Sequence, residues 1–359
     1  MATVYTDQLW MARAVTLARM GLGGVQANPL VGAIVVRRGK IVSEGYHAQW
    51  GQAHAERMAL ERAMALAEDL HDTTLYVTLE PCCHHGKTPP CTDIILQSGI
   101  QRVVVGALDP NPLMQGKGIA RLQQHHLNVE TGCLQEACKA LNSVFFTNQQ
   151  HQRAYVVLKW AQSIDGFLDS ARHTSTPAPW LTNEQCRLIV HRWRSELTAI
   201  YVGPNTILRD NPRLDARNWN GQKPIRITFD RNLSLPTDQH FFDGSVRTIV
   251  YTSSHALTTP RADQLRRIRN LELAVRPEGL EPIPFLLRDL YAKGIASLLV
   301  EGGRKTLEGF LSTGCYDELR VFIGSKPLGS GIAAPRVDLS AATHYSIGST
   351  QLFIETHDS

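Results

Sequence analysis

The sequence predicts a two-domain α/β protein, from its length, its alternation of strand and helix patterns, and a polar run near its middle. At 359 residues the chain exceeds what one hydrophobic core usually organises, and roughly 100–200 residues per domain suggests two units. Strand-length apolar runs alternate with helical patterns on both sides of Thr147 to Arg153, a polar, aperiodic stretch that reads as a linker. The expected domains are 1–147 and 154–359.

In the first half, Leu9 to Met20 has the spacing of an amphipathic helix, and Val31 to Val36 and Ile41 to Tyr46 form a hairpin turning at Gly39. His54 to Leu70 is rich in Ala, Met, Leu and Glu and predicts a long helix. Leu75 to Leu79 is a strand that runs into Glu80 and Pro81. A Gly- and Pro-containing loop from Cys82 to Pro90 leads to a helix over Thr92 to Ser98, and Arg102 to Ala107 is the next strand. In the second half, strands are expected at 154–160, 199–202, 225–229, 248–251, 297–300 and 319–323.

Composition narrows the class. The chain is 43% hydrophobic and 19% charged, with no low-complexity stretch, as in an ordinary soluble globular protein. Asp7, Arg13 and Arg19 interrupt the N-terminal apolar pattern, so no signal-peptide core is read there, and nothing approaches the ~20 apolar residues of a membrane span. The expected location is cytoplasmic. Seven cysteines without an export signal argue for metal or thiol chemistry rather than a disulfide framework. A net charge of +4 is too small to mark a nucleic-acid partner. Residues 1–147 hold 12 basic and 12 acidic side chains and the remainder 25 and 21, so the excess lies in the C-terminal half and points weakly to an anionic ligand there.

The chemistry concentrates at His54-Ala55-Glu56 and at Pro81-Cys82 through Pro90-Cys91. One imidazole and two thiolates, His54, Cys82 and Cys91, can bind one Zn²⁺ and leave a fourth tetrahedral position for water, as in catalytic rather than closed structural sites. A helix N-terminus lowers the pKa of a thiol placed there and favours the thiolate that zinc needs. Glu56, two residues from His54, can carry a proton between water and a leaving amine, the division of labour in zinc deaminases. A structural zinc site with Cys83, His84 or His85 as fourth ligand is the alternative, and it leaves Glu56 without a purpose.

Eight residues separate Cys82 from Cys91, a longer loop than in nucleic-acid and free-nucleoside deaminases. Asn28-Pro29-Leu30-Val31-Gly32, Gly45-Tyr46-His47, His54-Ala55-Glu56 and the loop Pro81 to Cys91 occur here in the order in which they occur in the bifunctional riboflavin-biosynthesis deaminase/reductase family, which the chain closely resembles. The resemblance implies a cytidine-deaminase-like layered sheet followed by a dihydrofolate-reductase-like α/β domain. It implies zinc-dependent removal of the C2 amino group of a diaminopyrimidinone ribosylamine 5′-phosphate, then NADPH reduction of the ribosyl to a ribityl group. Asn28, His47, Lys87, Asp109 and Asn111 are then substrate contacts, although Asp109-Pro110-Asn111-Pro112 also has the composition of a tight turn.

The C-terminal match is looser. By the family's pattern Lys159, Arg194, Leu214, Arg217 and Glu301 face substrate. Ala161, Trp180, Thr206, Asp210 and the run Gly303, Arg304, Lys305, Thr306, Leu307, Glu308 and Gly309 face NADPH, with Arg231 a candidate for the 2′-phosphate. Glycines before a helix start suit a pyrophosphate. Phe167, Ala178, Pro179 and Arg231 depart from the family pattern, so a deaminase with a degenerate C-terminal domain is the alternative. The implied partner is a small phosphorylated pyrimidine, with no nucleic acid or membrane and with a homo-oligomer left open.

Overall fold

The computed structural model describes residues 2–25, 28–66, 69–86, 88–172, 176 and 178–357, with side chains from residue 7 onward. The chain divides into two compact units, Met1–Gln152 and Arg153–Ser359.

Unit 1 is a three-layer α/β sandwich. Its elements are α1 (Ala2–Ala18), β1 (Gly32–Arg37), β2 (Lys40–Tyr46), α2 (Ala55–Leu66), β3 (Thr74–Leu79), α3 (Cys91–Gln97), β4 (Arg102–Ala107), α4 (Lys117–Gln124), β5 (Asn128–Thr131), α5 (Gln135–Leu141) and α6 (Ser143–His151). The sheet order is β2-β1-β3-β4-β5, antiparallel between β2, β1 and β3 and parallel from β3 to β5. Side chains alternate across it, as a strand period of two requires. Ala33, Val35, Val77, Val103 and Val105 meet Ala59, Leu60, Ala63, Ile95 and Leu122 on one face. Ile34, Val36, Tyr76 and Val104 meet Met11, Ala14 and Leu17 on the other.

Unit 2 contains β6 (Tyr155–Gln162), β7 (Phe167–Asp169), α7 (Glu184–Glu196), β8 (Ala199–Tyr201), α8 (Pro204–Asp210), β9 (Ile225–Phe229), β10 (Thr248–Thr252), α9 (Pro260–Arg266), β11 (Leu271–Val275), α10 (Pro282–Ala292), β12 (Ser297–Val300), α11 (Arg304–Thr313), β13 (Glu318–Ile323), β14 (Ile332–Ala333), β15 (Thr343–Ile347) and β16 (Thr350–Thr356). Nine strands form one sheet in the order β11-β10-β9-β8-β12-β6-β13-β16-β15. It is parallel from β11 to β13 and ends in the antiparallel β16 and β15. Val156, Leu158, Ile249, Leu298 and Val300 form its core against Leu286, Leu290, Leu307 and Phe310.

Two sequence expectations need correction. The polar run at 147–153 is not a linker: α6 continues through it to His151, burying Thr147 and Asn148, and ends at Gln152 in a left-handed conformation with φ +50°. The helix expected from His54 to Leu70 spans Ala55–Leu66 among the described residues. Residues 67 and 68 lie outside the described residues, and Leu70 reaches the core from beyond the helix.

Candidate active sites

The first site lies where β3 ends and two helices begin. His54 precedes α2 and its carbonyl accepts the Met58 amide at 3.0 Å, while Cys82 follows β3 and Cys91 is the first residue of α3. This topology brings residues 37 positions apart together: the donor atoms of His54, Cys82 and Cys91 all lie within 4.8 Å of one another. His54 Nδ1 is 3.6 Å from Cys82 Sγ and 3.3 Å from Cys91 Sγ. Tetrahedral zinc with ordinary bond lengths would set such N···S separations at about 3.5 Å, so the donors fit the ion both in type and in spacing. The Cys91 amide donates to Cys82 Sγ at 3.3 Å, and Thr88 Oγ1 lies 3.3 Å from His54 Nε2, where it can orient the ring. Among the described residues, Cys83, His84 and His85 do not join the cluster, which leaves three protein donors.

The thiols are electrostatically unlike. Hydrogen bonding from Cys91 and His54 holds the Cys82 thiol well below its ordinary value, whereas Cys91, beside that sulfur and buried, is held high. Glu56, 3% exposed, is pushed up to about 7, chiefly by burial and secondarily by the Cys82 charge. A carboxyl poised there can take up and release a proton near neutral pH.

A cavity of ≈ 360 Å³ opens on this cluster, and His47, His54, Glu56, Cys82, Asn28, Asp109 and Asn111 all line it. His47 is 3% exposed and its Nε2 has no partner among the described residues. Its imidazole is pushed down mainly by burial. Burial likewise raises the Asp109 carboxyl. The turn composition at 109–112 is also expressed, since Asp109 Oδ1 accepts the Asn111 amide at 2.8 Å and Asn111 Oδ1 accepts the Leu113 amide at 3.0 Å. Lys87 lies outside the described residues. Sequence reasoning missed Trp50, Glu80, Met114, Phe145 and Gln149, which also line the cavity, as does His84, expected only as an alternative zinc ligand. Phe145 and Gln149 come from one face of α6, whose second half read as linker.

The second site is a cavity of ≈ 790 Å³ lined by Lys159, Ala161, Thr206, Asp210, Glu301, Gly303, Arg304, Lys305, Thr306 and Leu307, together with Ala178, Arg209 and Asp169. Glu301 anchors it. Arg194 donates to both its carboxylate oxygens at 2.7 and 2.6 Å, and Lys159 Nζ lies 3.9 Å away. Burial works to raise the Glu301 carboxyl, but the Arg194 and Lys159 charges outweigh it and hold the group at about 2. Burial lowers the Lys159 ammonium. Gly303, with φ +41°, caps α11 without a side chain, leaving first-turn amides for a phosphate. The residues present therefore fit a dinucleotide in shape and in donors.

Several expected residues are not brought to this lining. Trp180 is 70% exposed and stacks against Arg187. Glu308 pairs with Arg304 along α11, and Gly309 packs towards Ile283. Arg231 uses its carbonyl to accept from Thr252 and Ser253 and does not line the cavity. Leu214 is buried with φ +50°, Arg217 pairs with Asp215, and Arg194 reaches the cavity only through Glu301. Asp210 is ion-paired to Arg172, which also clamps Asp169.

Residues 4–107 match the family model of the cytidine and deoxycytidylate deaminase zinc-binding region, and residues 154–349 match that of the RibD C-terminal domain. The riboflavin biosynthesis protein RibD of Aquifex aeolicus is 41% identical over 329 residues, covering 91% of this chain and 89% of that protein. The RibD of Escherichia coli K12 is 35% identical over 339 residues, covering 90% and 89%. Among solved structures, a diaminohydroxyphosphoribosylaminopyrimidine deaminase/5-amino-6-(5-phosphoribosylamino)uracil reductase from Thermotoga maritima superposes with a TM-score of 0.84 at 37% identity, covering 98% and 99% of the two chains. Acinetobacter baumannii RibD superposes equally well, at 0.84 and 28% identity, covering 99% and 100%.

Proposed function

Since the chain belongs to the RibD family of riboflavin-biosynthesis proteins, we propose a division of its two reactions between the cavities just described. The protein is a bifunctional enzyme, a zinc-dependent deaminase with a cytidine-deaminase-like fold followed by an NADPH-dependent reductase with a dihydrofolate-reductase-like fold. Deamination is assigned to the cavity of unit 1 and reduction to that of unit 2.

One observation carries the deaminase assignment: the buried Glu56 carboxyl opens on the same pocket of substrate size as the His54, Cys82 and Cys91 cluster, whose donors are spaced for zinc. Zinc, when bound by His54, Cys82 and Cys91, supplies the Lewis acidity that makes water nucleophilic at neutral pH. Glu56 takes a proton from the attacking water and passes it to the departing amine, so that the C2–N bond breaks, a C2–O bond forms and ammonia leaves. His47, Asn28, Asp109 and Asn111 orient the diaminopyrimidinone, and Lys87 meets the 5′-phosphate.

In unit 2 the cavity would hold NADPH, which when bound would supply the hydride for C1 of the ring-opened ribosylamine, with the nitrogen taking its proton from water. Gly303 to Leu307, Ala161 and Thr206 hold the dinucleotide. Lys159, kept in place by Glu301, hydrogen-bonds the substrate ribose. Arg194 acts on the substrate side through the Glu301 carboxylate that it holds. No nucleic-acid or membrane partner enters this scheme, and no helix among the described residues is long and apolar enough to cross a membrane. Seven unpaired thiols suit a cytoplasmic location.

The test supplies zinc-loaded protein with the diaminopyrimidinone ribosylamine phosphate, with and without NADPH, and follows ammonia release and NADPH oxidation separately. Ammonia should appear without NADPH, and NADPH oxidation should follow it. NADPH oxidation absent even with separately deaminated substrate would leave a deaminase alone and refute the assignment of unit 2.

A further inference from the structure

Glu80 follows β3 and precedes Pro81 and Cys82, so it stands one residue removed from a zinc donor. It is 6% exposed, and among the described residues it makes no ion pair. Its partners are all backbone amides. Oε2 accepts from Asp109 at 3.1 Å and from Gly116 at 2.9 Å, and Oε1 accepts from Gly118 at 2.9 Å and from Ile119 at 3.4 Å. A carboxylate that leaves water needs such compensation, and hydrogen bonds to a charged acceptor are among the stronger ones.

Three of the four amides belong to the entry of α4. Its N-cap is Gly116, at φ +78°, which has no side chain to satisfy the first-turn amides. Glu80 supplies that cap from 36 to 39 positions away, placing negative charge at the positive end of the helix. Gly118 permits the approach: a Cβ there would lie 2.1 Å from the Pro81 carbonyl oxygen. The fourth amide, that of Asp109, begins the turn that carries Asp109, Asn111 and Met114 to the deaminase cavity.

The geometry points to Glu80 as a positioning residue of the deaminase: its carboxylate locks the substrate-facing turn 109–114 in register with the strand end that delivers Cys82. The inference rests on the assignment of Asp109 and Asn111 to substrate. Glu80 itself transfers no proton and binds no metal. Its work is done through four amides, so a neutral isostere, which has one carbonyl oxygen and an NH₂ group facing N–H donors, should loosen the turn without emptying the zinc site.

Full-length, zinc-loaded Glu80→Gln is therefore compared with wild type and with Asp109→Asn. In Glu80→Gln, zinc should remain at one per chain and NADPH oxidation with separately deaminated substrate should be unchanged. Amide hydrogen exchange at Asp109, Gly116 and Gly118 should quicken. KM for deamination should rise roughly 10- to 100-fold, with a smaller fall in kcat, since displaced substrate contacts cost on the order of 10²-fold in kcat/KM. Faster exchange with unchanged KM and kcat would overturn the inference, because the clamp would then serve the fold alone. Unchanged exchange would overturn it as well. Asp109→Asn separates the two failures. If it impairs deamination while Glu80→Gln does not, positioning is wrong and the substrate assignment stands; if neither impairs it, both fall.

Discussion

The two cavities differ in where their chemistry resides. In unit 1 the proposed chemistry falls to side chains, three metal donors and one carboxyl, clustered at a cavity of ≈ 360 Å³. In unit 2 the cavity is about twice as large, ≈ 790 Å³, and its charged residues are arranged by a buried ion-pair network rather than poised to react. When a cofactor carries the reactivity, the protein's task is shape and fixed charge. Losing one side chain should therefore be nearly all-or-none in the first cavity and graded in the second.

The largest effect should come from Cys82→Ser or Cys91→Ser, which should lower zinc occupancy and abolish ammonia release while NADPH oxidation with deaminated substrate persists. Full metal content in both variants would remove the proposed site. Glu56→Gln keeps shape but not proton transfer, so zinc should stay while ammonia release falls by about 10²- to 10⁴-fold. If zinc also departs, Glu56 is a ligand or a structural residue. In the second cavity Lys159→Ala should slow NADPH oxidation by about 10- to 100-fold, the scale of losing a charged hydrogen bond, and leave ammonia release intact. Wild-type reduction by that variant would dissolve the contrast between the cavities.

The last effect falls on stability and on neither reaction directly. The Glu301 carboxyl is held at about 2, against an ordinary 4.5. A depressed carboxyl contributes stability that is fully present above the unfolded value and is lost as pH falls through the folded one. Roughly 3 kcal/mol should thus disappear between about pH 5 and 2. Glu301→Gln should lower Tm most at neutral pH, and the gap to wild type should close towards pH 2. A gap that stays constant over that interval would show that the variant acts through packing rather than charge.

The same contrast explains what the sequence made legible. His54, Glu56, Cys82 and Cys91 sit in two short motifs whose chemistry is expressed locally, and the structure places them together. The buried strands at 102–107 and 297–300 are equally plain, because short apolar runs mark them, and 225–229 is marked by the alternation of Ile225, Ile227 and Phe229 with Arg226 and Thr228. Strands with mixed exposure were not: β11 is half-buried throughout, and β15 is an exposed edge strand. Glu80 was invisible because its partners are backbone amides far along the chain, which no side-chain motif announces. Phe145 and Gln149 were missed because α6 is polar where it was read, although Phe145 and Phe146 preceding that run were the available signal. Trp180, Arg231, Glu308 and Gly309 were placed by family order, which fixes neighbourhood along the chain but not which way a side chain faces.

The junction at Gln152 has one more consequence. His151 ends a helix of unit 1, while two residues later Arg153 is held by Asp317 of unit 2 at 2.7 and 2.8 Å. Each unit also has a sheet and a core drawn wholly from its own side of that boundary. A single position, in a left-handed conformation unusual for glutamine, is all the spacer there is. Cutting between Gln152 and Arg153 would leave every strand of both sheets beside its neighbours, so each sheet keeps all of its ladders on one side of the cut.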